Sequence, residues 1–465
     1  MSKKPNYLAT TNACKLCTPL GACLAFKGIT GAVPYLHGSQ GCATYMRRYI
    51  ISHFNEPIDI ASSSLSEKHA IYGGGPNLKL GLVNVTKKYR PTLIGIATTC
   101  LTETIGDDVH QFLQEYHREV KGDKPIMVRV STPSYRGTHM EGFHDAVTAV
   151  VASLTTAEEQ APATPADTAE PATPGAEAPI NLMPGLVSPA DIRYLKEIFA
   201  DFQLPATIIP DLSETMDGPA AQTYEKIQPG GTPINAIRAM GHSRASLEFG
   251  HGMGKHSAGM LLQERFQVPC RRLPMPMGIT ASDLFFAELG KLSGRPLPAK
   301  HALERGRLVD SYVDGHKYVY GKKAIVYGEE DLVVGLTTLL AEIGVFPVLC
   351  ASGGKSGQLA DAIATATAEL LPEPPQVFED VDFFDIAELA ASLEPDLVVG
   401  HSKGYSLARR LAIPLLRVGF PIHDRLGGQR VLHLGYRGAQ HLFDLVVNAM
   451  IAKKQDDSPV GYAYM

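Results

Sequence analysis

Five of the seven cysteines, Cys14, Cys17, Cys23, Cys42 and Cys100, fall in the first hundred residues, while Cys270 and Cys350 stand singly later in the chain. So few thiols, odd in number, do not make a disulfide framework; in a reducing compartment they are free thiols or metal ligands. Cys100 closes the apolar run 93–99, which predicts a buried strand with the thiol at its carboxyl end, where open α/β sheets hold their ligands. Cys42 ends the small-residue loop His37-Gly38-Ser39-Gln40-Gly41-Cys42 behind the apolar run 32–36, so the same geometry is expected a second time. Cys17 precedes Thr18-Pro19-Leu20-Gly21, where small residues let the backbone approach a bulky inorganic group. A single cysteine is ordinarily a small buried hydrophobe. Three that sit in loops of this kind suggest convergence on one ligand. The pair Cys14 and Cys17 has half of a zinc-site spacing, but no second pair follows it. Three thiols are one short of the usual four ligands of an iron–sulfur cubane, so a cluster held here would draw on another chain.

Other chemistries lose support. Gly353-Gly354-Lys355-Ser356 ends like a phosphate-binding loop, but Leu349 stands where the leading glycine belongs, so ATP hydrolysis by this chain is not expected. Phe249-Gly250-His251-Gly252-Met253-Gly254 lacks the third glycine of a dinucleotide fingerprint and reads as a turn. Neither a His-Glu-x-x-His pair nor a Gly-x-Ser-x-Gly elbow is present. The formal charge of −5 gives no basic excess for a phosphate backbone, so nucleic acid is not an expected partner. No run approaches the roughly 20 apolar residues that span a bilayer, and Lys3 and Lys4 have no apolar stretch behind them; the expectation is a cytoplasmic protein without a membrane partner.

The elements that must position these thiols follow from the periodicity. Strand-length apolar runs recur at 92–98, 126–130, 206–209, 324–327, 347–349, 397–399 and 414–418, each followed by a stretch of helical length. Leu332, Leu336, Leu339, Leu340 and Ile343 share one helical face and predict a crossover helix. The fold class expected is α/β, with three Rossmann-like domains whose parallel sheets are flanked by helices. At about 150 residues per domain, 465 residues suit that number. The boundaries expected are a cluster-binding α/β domain at 1–154, an Ala/Pro-rich linker at 155–180, a second α/β domain at 181–320 and a third at 321–465. The linker is almost only Ala, Pro, Thr, Glu and Asp, with too little apolar surface to offset its ordering.

A series of ordered blocks resembles component 1 of nitrogenase and its relatives, in the β-type chain. The blocks are Cys17-Thr18-Pro19-Leu20-Gly21-Ala22, His37 to Cys42, His53-Phe54-Asn55-Glu56-Pro57, Tyr72-Gly73-Gly74-Gly75, Thr98-Thr99-Cys100 with Glu103, Ile105-Gly106-Asp107-Asp108 and Thr132-Pro133-Ser134. Later come Gly306-Arg307-Leu308-Val309-Asp310, Asp314-Gly315-His316, Gly321-Lys322, Val418 to Asp424 and Leu434-Gly435-Tyr436. The resemblance implies that Cys17, Cys42 and Cys100 are ligands of an eight-iron, seven-sulfur P-cluster shared with an α-type partner in an α2β2 heterotetramer. Ser134 is then the serine that ligates the oxidised cluster, and Cys14 and Cys23 are core or loop thiols. A separate iron protein would supply ATP-driven electrons, and the active-site cofactor would lie in the partner.

Asp211 to Gly218 and Gly230 to Pro233 resemble the scaffold β-type chain on which the iron–molybdenum cofactor matures. Scaffold chains keep only the cysteine matching Cys42, whereas this chain has all three. The expectation is therefore a nitrogenase-like reductase acting on methylthio-alkanes, with two alternatives: the cofactor scaffold, holding a four-iron, four-sulfur cluster, and a dinitrogen-reducing β chain. No residue of this chain is expected to be catalytic. His37 and Ser39 read as ordinary polar residues of a tight turn, with orientation of the Cys42 loop as the alternative; Glu103, Asp107 and Asp108 as a solvated first turn, with helix capping as the alternative; His316, His401 and His423 as core or interface histidines; and Tyr72, Tyr318 and Tyr320 as packing residues.

Overall fold

The computed structural model describes residues 14–155, 178–220, 222–250, 252 and 256–460. Residues 156–177 of the Ala/Pro-rich segment lie outside them. The chain divides into two compact units. One comprises Cys17–Pro274 and Leu284–Pro298; the other comprises Met1–Leu16, Met275–Asp283 and Ala299–Met465.

The Cys17–Pro274 unit contains two parallel sheets. The first has strands β1 (Ala32–His37), β2 (Ala61–Ser62), β3 (Leu93–Thr98) and β4 (Ile126–Val130) in the order β2-β1-β3-β4. The second has β5 (Ile180–Met183), β6 (Ala206–Ile208), β7 (Ala245–Phe249) and β8 (Cys270–Leu273) in the order β6-β5-β7-β8. The other unit is built on a five-stranded sheet of β9 (Lys323–Gly328), β10 (Phe346–Ser352), β11 (Gln376–Phe378), β12 (Leu397–Gly400) and β13 (Leu415–Arg417), in the order β11-β10-β9-β12-β13. Every pairing is parallel, as expected of an α/β fold with helices crossing between strands. The predicted crossover helix is present at Glu330–Glu342, with Leu332, Leu336, Leu339 and Leu340 buried.

The first sheet positions the cysteines. Strands β1 and β3 are fully buried, and their register runs from Ala32 opposite Leu93 to His37 opposite Thr98, so both end level. Helices α1 (Thr18–Lys27), α2 (Gln40–Phe54), α3 (Glu67–Tyr72), α4 (Gly75–Tyr89), α5 (Cys100–Ile105), α6 (Val109–Glu119) and α7 (His139–Leu154) surround this sheet. One core joins Val33, Tyr35, Ile94 and Ile96 of the strands to Leu78 and Leu82 of α4 and to Leu113 and Tyr116 of α6. All ten residues of α1 are buried, and α1 meets α7 backbone to backbone. A Cβ on Gly21 would come 1.6 Å from the His139 carbonyl oxygen, and one on Gly142 would come 2.0 Å from that of Thr18.

Candidate metal-cluster site

Each of the three cysteines begins a helix. Cys17 is the N-cap of α1, with extended backbone (φ −62°, ψ 138°); Cys42 lies in the first turn of α2; Cys100 is the first residue of α5. All three are half-buried and none is in a disulfide, whereas Cys14, Cys23 and Cys350 are fully buried. Burial pushes the Cys14 and Cys350 thiols up to about 12 and the Cys23 thiol further still, so all three are core thiols. Burial, then Glu248, also pushes Cys270 up to about 12.

Hydrogen bonds tie one of the three thiols, and the residue that follows another, to Ser134. The Ser134 N–H donates to Cys100 Sγ at 3.3 Å, and the Thr18 N–H donates to Ser134 Oγ at 3.2 Å. Ser134 thus bridges Cys100 and the residue that follows Cys17. The loop carrying it is fixed by Thr132, whose N–H donates to Thr98 Oγ1 at 2.9 Å and whose hydroxyl donates to the Thr98 carbonyl at 2.6 Å. Cys42 stands on its own turn, where the Ser39 hydroxyl donates to its Sγ at 3.4 Å. Further along α2, Tyr45 donates to or accepts from Tyr49 at 2.9 Å. That bond, then partial burial and the nearby charge of Cys17, pushes the Tyr45 phenol up to about 12. Among the described residues, no three His, Cys, Asp or Glu side chains come close enough to share a single metal ion. Thiolate sulfur is a soft donor, suited to iron–sulfur groups, and each of these three cysteines stands at or in the first turn of a helix.

Behind these loops His37 is wholly buried. Its Nε2 lies 2.9 Å from Asp107 Oδ2 and its Nδ1 lies 3.0 Å from Ser63 Oγ. The two acidic residues between α5 and α6 behave differently. Only Asp108 caps, accepting from the Gln111 N–H at 3.0 Å, while Asp107 turns inward. The packing expectation for Tyr72 is also overturned: it is 83% exposed, and Ile71 beside it is 78% exposed. Tyr320 and His316 are exposed as well, whereas His401 packs edge-on against Tyr327 and Phe383.

In the glycine-rich turn after β10 the chain's own carboxylates engage the backbone N–H groups. Glu330 Oε1 accepts from the Ser356 N–H at 3.2 Å, and Glu379 accepts from the N–H groups of Gly357 at 3.0 Å and Leu359 at 3.2 Å. Among the described residues no helix is long and apolar enough to cross a membrane.

Residues 17–451 match the family described as nitrogenase component 1 type oxidoreductase. The chain belongs to that family. It is 33% identical over 445 residues to the nitrogenase molybdenum-iron protein beta chain of Clostridium pasteurianum, covering 95% of this chain and 93% of that one. It is 34% identical over 449 residues to the nitrogenase vanadium-iron protein beta chain of Trichormus variabilis, covering 94% and 93%. The solved structure described as nitrogenase Cp1 at pH 6.5 superposes with a TM-score of 0.91 at 31% identity, covering 99% of this chain and 98% of the other. A chain of nitrogenase Cp1 at pH 5 shares the fold at 14% identity, with a TM-score of 0.70. Within the family this is a β-type chain, an oxidoreductase subunit.

Proposed function

We propose that this chain is the electron-relaying β-type subunit of a nitrogenase-like reductase, with Cys17, Cys42 and Cys100 as thiolate ligands of an iron–sulfur group of the P-cluster type and Ser134 beside it. The observation that carries the reading is the Ser134 bridge, which joins the Cys100 sulfur to the Cys17 segment while all three thiols stay half-buried. Such a group stores and passes electrons. The residues around it do the rest. The N–H of Ser134 and the hydroxyl of Ser39 donate to the Cys100 and Cys42 sulfurs, and Cys17 and Cys42 stand at the starts of the ten-residue α1 and the fifteen-residue α2. Buried β1 and β3 hold the loops with little reorganisation. Three protein thiolates leave ligand positions for an α-type partner, which fits an α2β2 assembly in the cytoplasm. Since Glu330 and Glu379 occupy the glycine-rich turn, ATP hydrolysis falls to a separate iron protein that docks on the complex.

For the reaction in the partner's cofactor site, reductive carbon–sulfur cleavage of methylthio-alkanes is the chemistry we propose, on the combination of scaffold-like blocks at 211–218 and 230–233 with a full set of three thiols. Reduction of dinitrogen is the second reading, supported by the names of the relatives above. Cofactor assembly on a four-iron cluster is the third. The test is anaerobic copurification with the α-type partner. About eight irons per αβ half, with iron-protein-dependent release of a thiol from a methylthio-alkane, is the expected result. Ammonia from dinitrogen selects the second reading, and about four irons with a transferable cofactor precursor and no turnover selects the third. Substitution Cys42→Ala should abolish electron delivery; full activity in that variant would end the relay assignment.

A further inference from the structure

His37 is held at three points. Its carbonyl accepts from the Thr99 N–H at 3.1 Å and from the Thr102 hydroxyl at 2.9 Å, at the start of α5. Its imidazole reaches Asp107, just past the other end of α5, where Gly106 closes the helix in the left-handed conformation (φ 76°). One residue therefore clamps both ends of the short helix that begins with Cys100, and the same residue opens the loop that ends five positions later in Cys42. Ser63 accepts from the Gly38 N–H at 2.9 Å and contacts His37 Nδ1 at 3.0 Å, fixing the next link of that loop. Asp107 also accepts from the Gly74 N–H, with both carboxylate oxygens at 3.1 Å. There is no slack in the arrangement: a Cβ on Gly74 would lie 2.6 Å from Asp107 Oδ2, and one on Gly38 would lie 2.2 Å from Thr99 Oγ1. Phe112 closes the site edge-on to the imidazole.

Asp107, His37 and Ser63 stand in the order of a hydrolytic triad, but Ser63 is buried and its hydroxyl is engaged by the backbone of Gly38, so it presents no nucleophile. The network faces the cysteine loops instead. We propose that His37 and Asp107 are a positioning pair that sets where the Cys42 and Cys100 sulfurs stand relative to each other. On the relay reading above, the pair thereby tunes the reduction potential of the bound iron–sulfur group, since ligand placement is one of the protein's levers on such a group.

Two measurements test this independently. In the full-length metal-free chain, the alkylation rates of Cys42 and Cys100 by iodoacetamide are followed by mass spectrometry in Asp107→Ala, Asp107→Asn and His37→Ala, with the N-cap variant Asp108→Ala as control. Both rates should rise together, roughly fivefold in Asp107→Ala and His37→Ala. Asp107→Asn, which keeps an acceptor for Gly74 and His37, should stay near the unaltered chain, and Asp108→Ala should not move either thiol. Unchanged rates in Asp107→Ala and His37→Ala, with folding verified by circular dichroism, would overturn the proposal; if Asp107→Ala does not fold, His37→Ala still decides it. In the complex with its α-type partner, His37→Ala should retain its iron but shift the midpoint potential, about 59 mV for each tenfold change in a one-electron equilibrium, while Asp107→Asn should stay near the unaltered complex. An iron-loaded His37→Ala complex with an unaltered potential would overturn the tuning role. An unaltered complex without iron would sink the relay reading while leaving the alkylation result to stand or fall by itself.

Discussion

At the scale of residues, electrostatics and close packing make separable predictions. Asp424 accepts from Arg417 Nε and Nη2 at 2.8 and 2.7 Å and from the Ser402 hydroxyl. Burial works to raise its pKa, yet the bonds from Arg417 and Ser402 and the guanidinium charges together hold it at about 2, below the ordinary 3.8. A carboxyl whose folded pKa is depressed contributes stability that is fully present above its unfolded pKa and lost as pH falls through the folded one. The window is therefore between about pH 4 and pH 2. Thermal melts over that range should show the unaltered chain losing stability more steeply than Arg417→Ala, and parallel curves would refute the coupling. In the cluster region, Gly38→Ala would drive a methyl into Thr99 Oγ1 at 2.2 Å and Thr99 Cγ2 at 2.5 Å. Overpacking of this kind costs about 1–3 kcal/mol. The variant should therefore melt lower and bind less iron than the unaltered complex, read by calorimetry and by iron analysis of the same sample.

At the scale of elements, α1 is held less by side chains than by the absence of two. Gly21 and Gly142 let α1 and α7 approach until each backbone touches the other, and α1 carries Cys17 at its start. Gly142→Ala should separate the helices, cost at least the ~1–3 kcal/mol of an overpacked core, and displace Cys17 with the helix it caps. Limited proteolysis at low denaturant should cut the variant first around residues 14–27, and an unchanged cleavage pattern would refute that route.

Much of this architecture was legible beforehand. The run 126–130 is β4, 93–98 falls inside the run that ends at Cys100, and the leucine face at 332–343 is the crossover helix, because fully buried strands and helices write their period into apolar residues. Strand β7 was not singled out as such a run. It reads Ala-Ser-Leu-Glu-Phe, and the fully buried Ser246 and Glu248 are satisfied by partners distant in sequence, Asn181 for the serine and Ser257, Gly259 and Arg272 for the glutamate. Edge strand β8, Cys-Arg-Arg-Leu, hides its period for a related reason: Arg272 reaches the buried Glu248 and Arg271 reaches Glu288. Of the site, Cys42 and Cys100 were visible as residue types after strands, Cys17 by the small residues that follow it, and Ser134 through the family resemblance alone. The inward turn of Asp107 was not, since it depends on the level ends of β1 and β3, a property of register that no single segment contains.

At the scale of the whole molecule, the question is where the free energy that drives electrons enters. The third sheet ends in a turn whose N–H groups would cradle a phosphate if they were open, but they are committed to Glu330 and Glu379, and Lys355 is drawn to Asp380 at 3.6 Å. Two carboxylates already there repel a triphosphate, and displacing them would leave buried or half-buried charge without partners. The N–H groups of this turn are thus engaged by the chain's own carboxylates, and on the proposed relay reading ATP dependence belongs to the separate iron protein. The expected outcome follows directly. A low-potential chemical reductant should reduce the iron–sulfur group of the purified αβ complex at the same rate with and without Mg-ATP, and nucleotide should matter only once the iron protein is added. Stopped-flow absorbance on one preparation gives both rates. An ATP-dependent rate in the absence of the iron protein would show that the glutamates can be displaced, and Glu379→Gln, which removes one of the two charges, would then be expected to raise that dependence further.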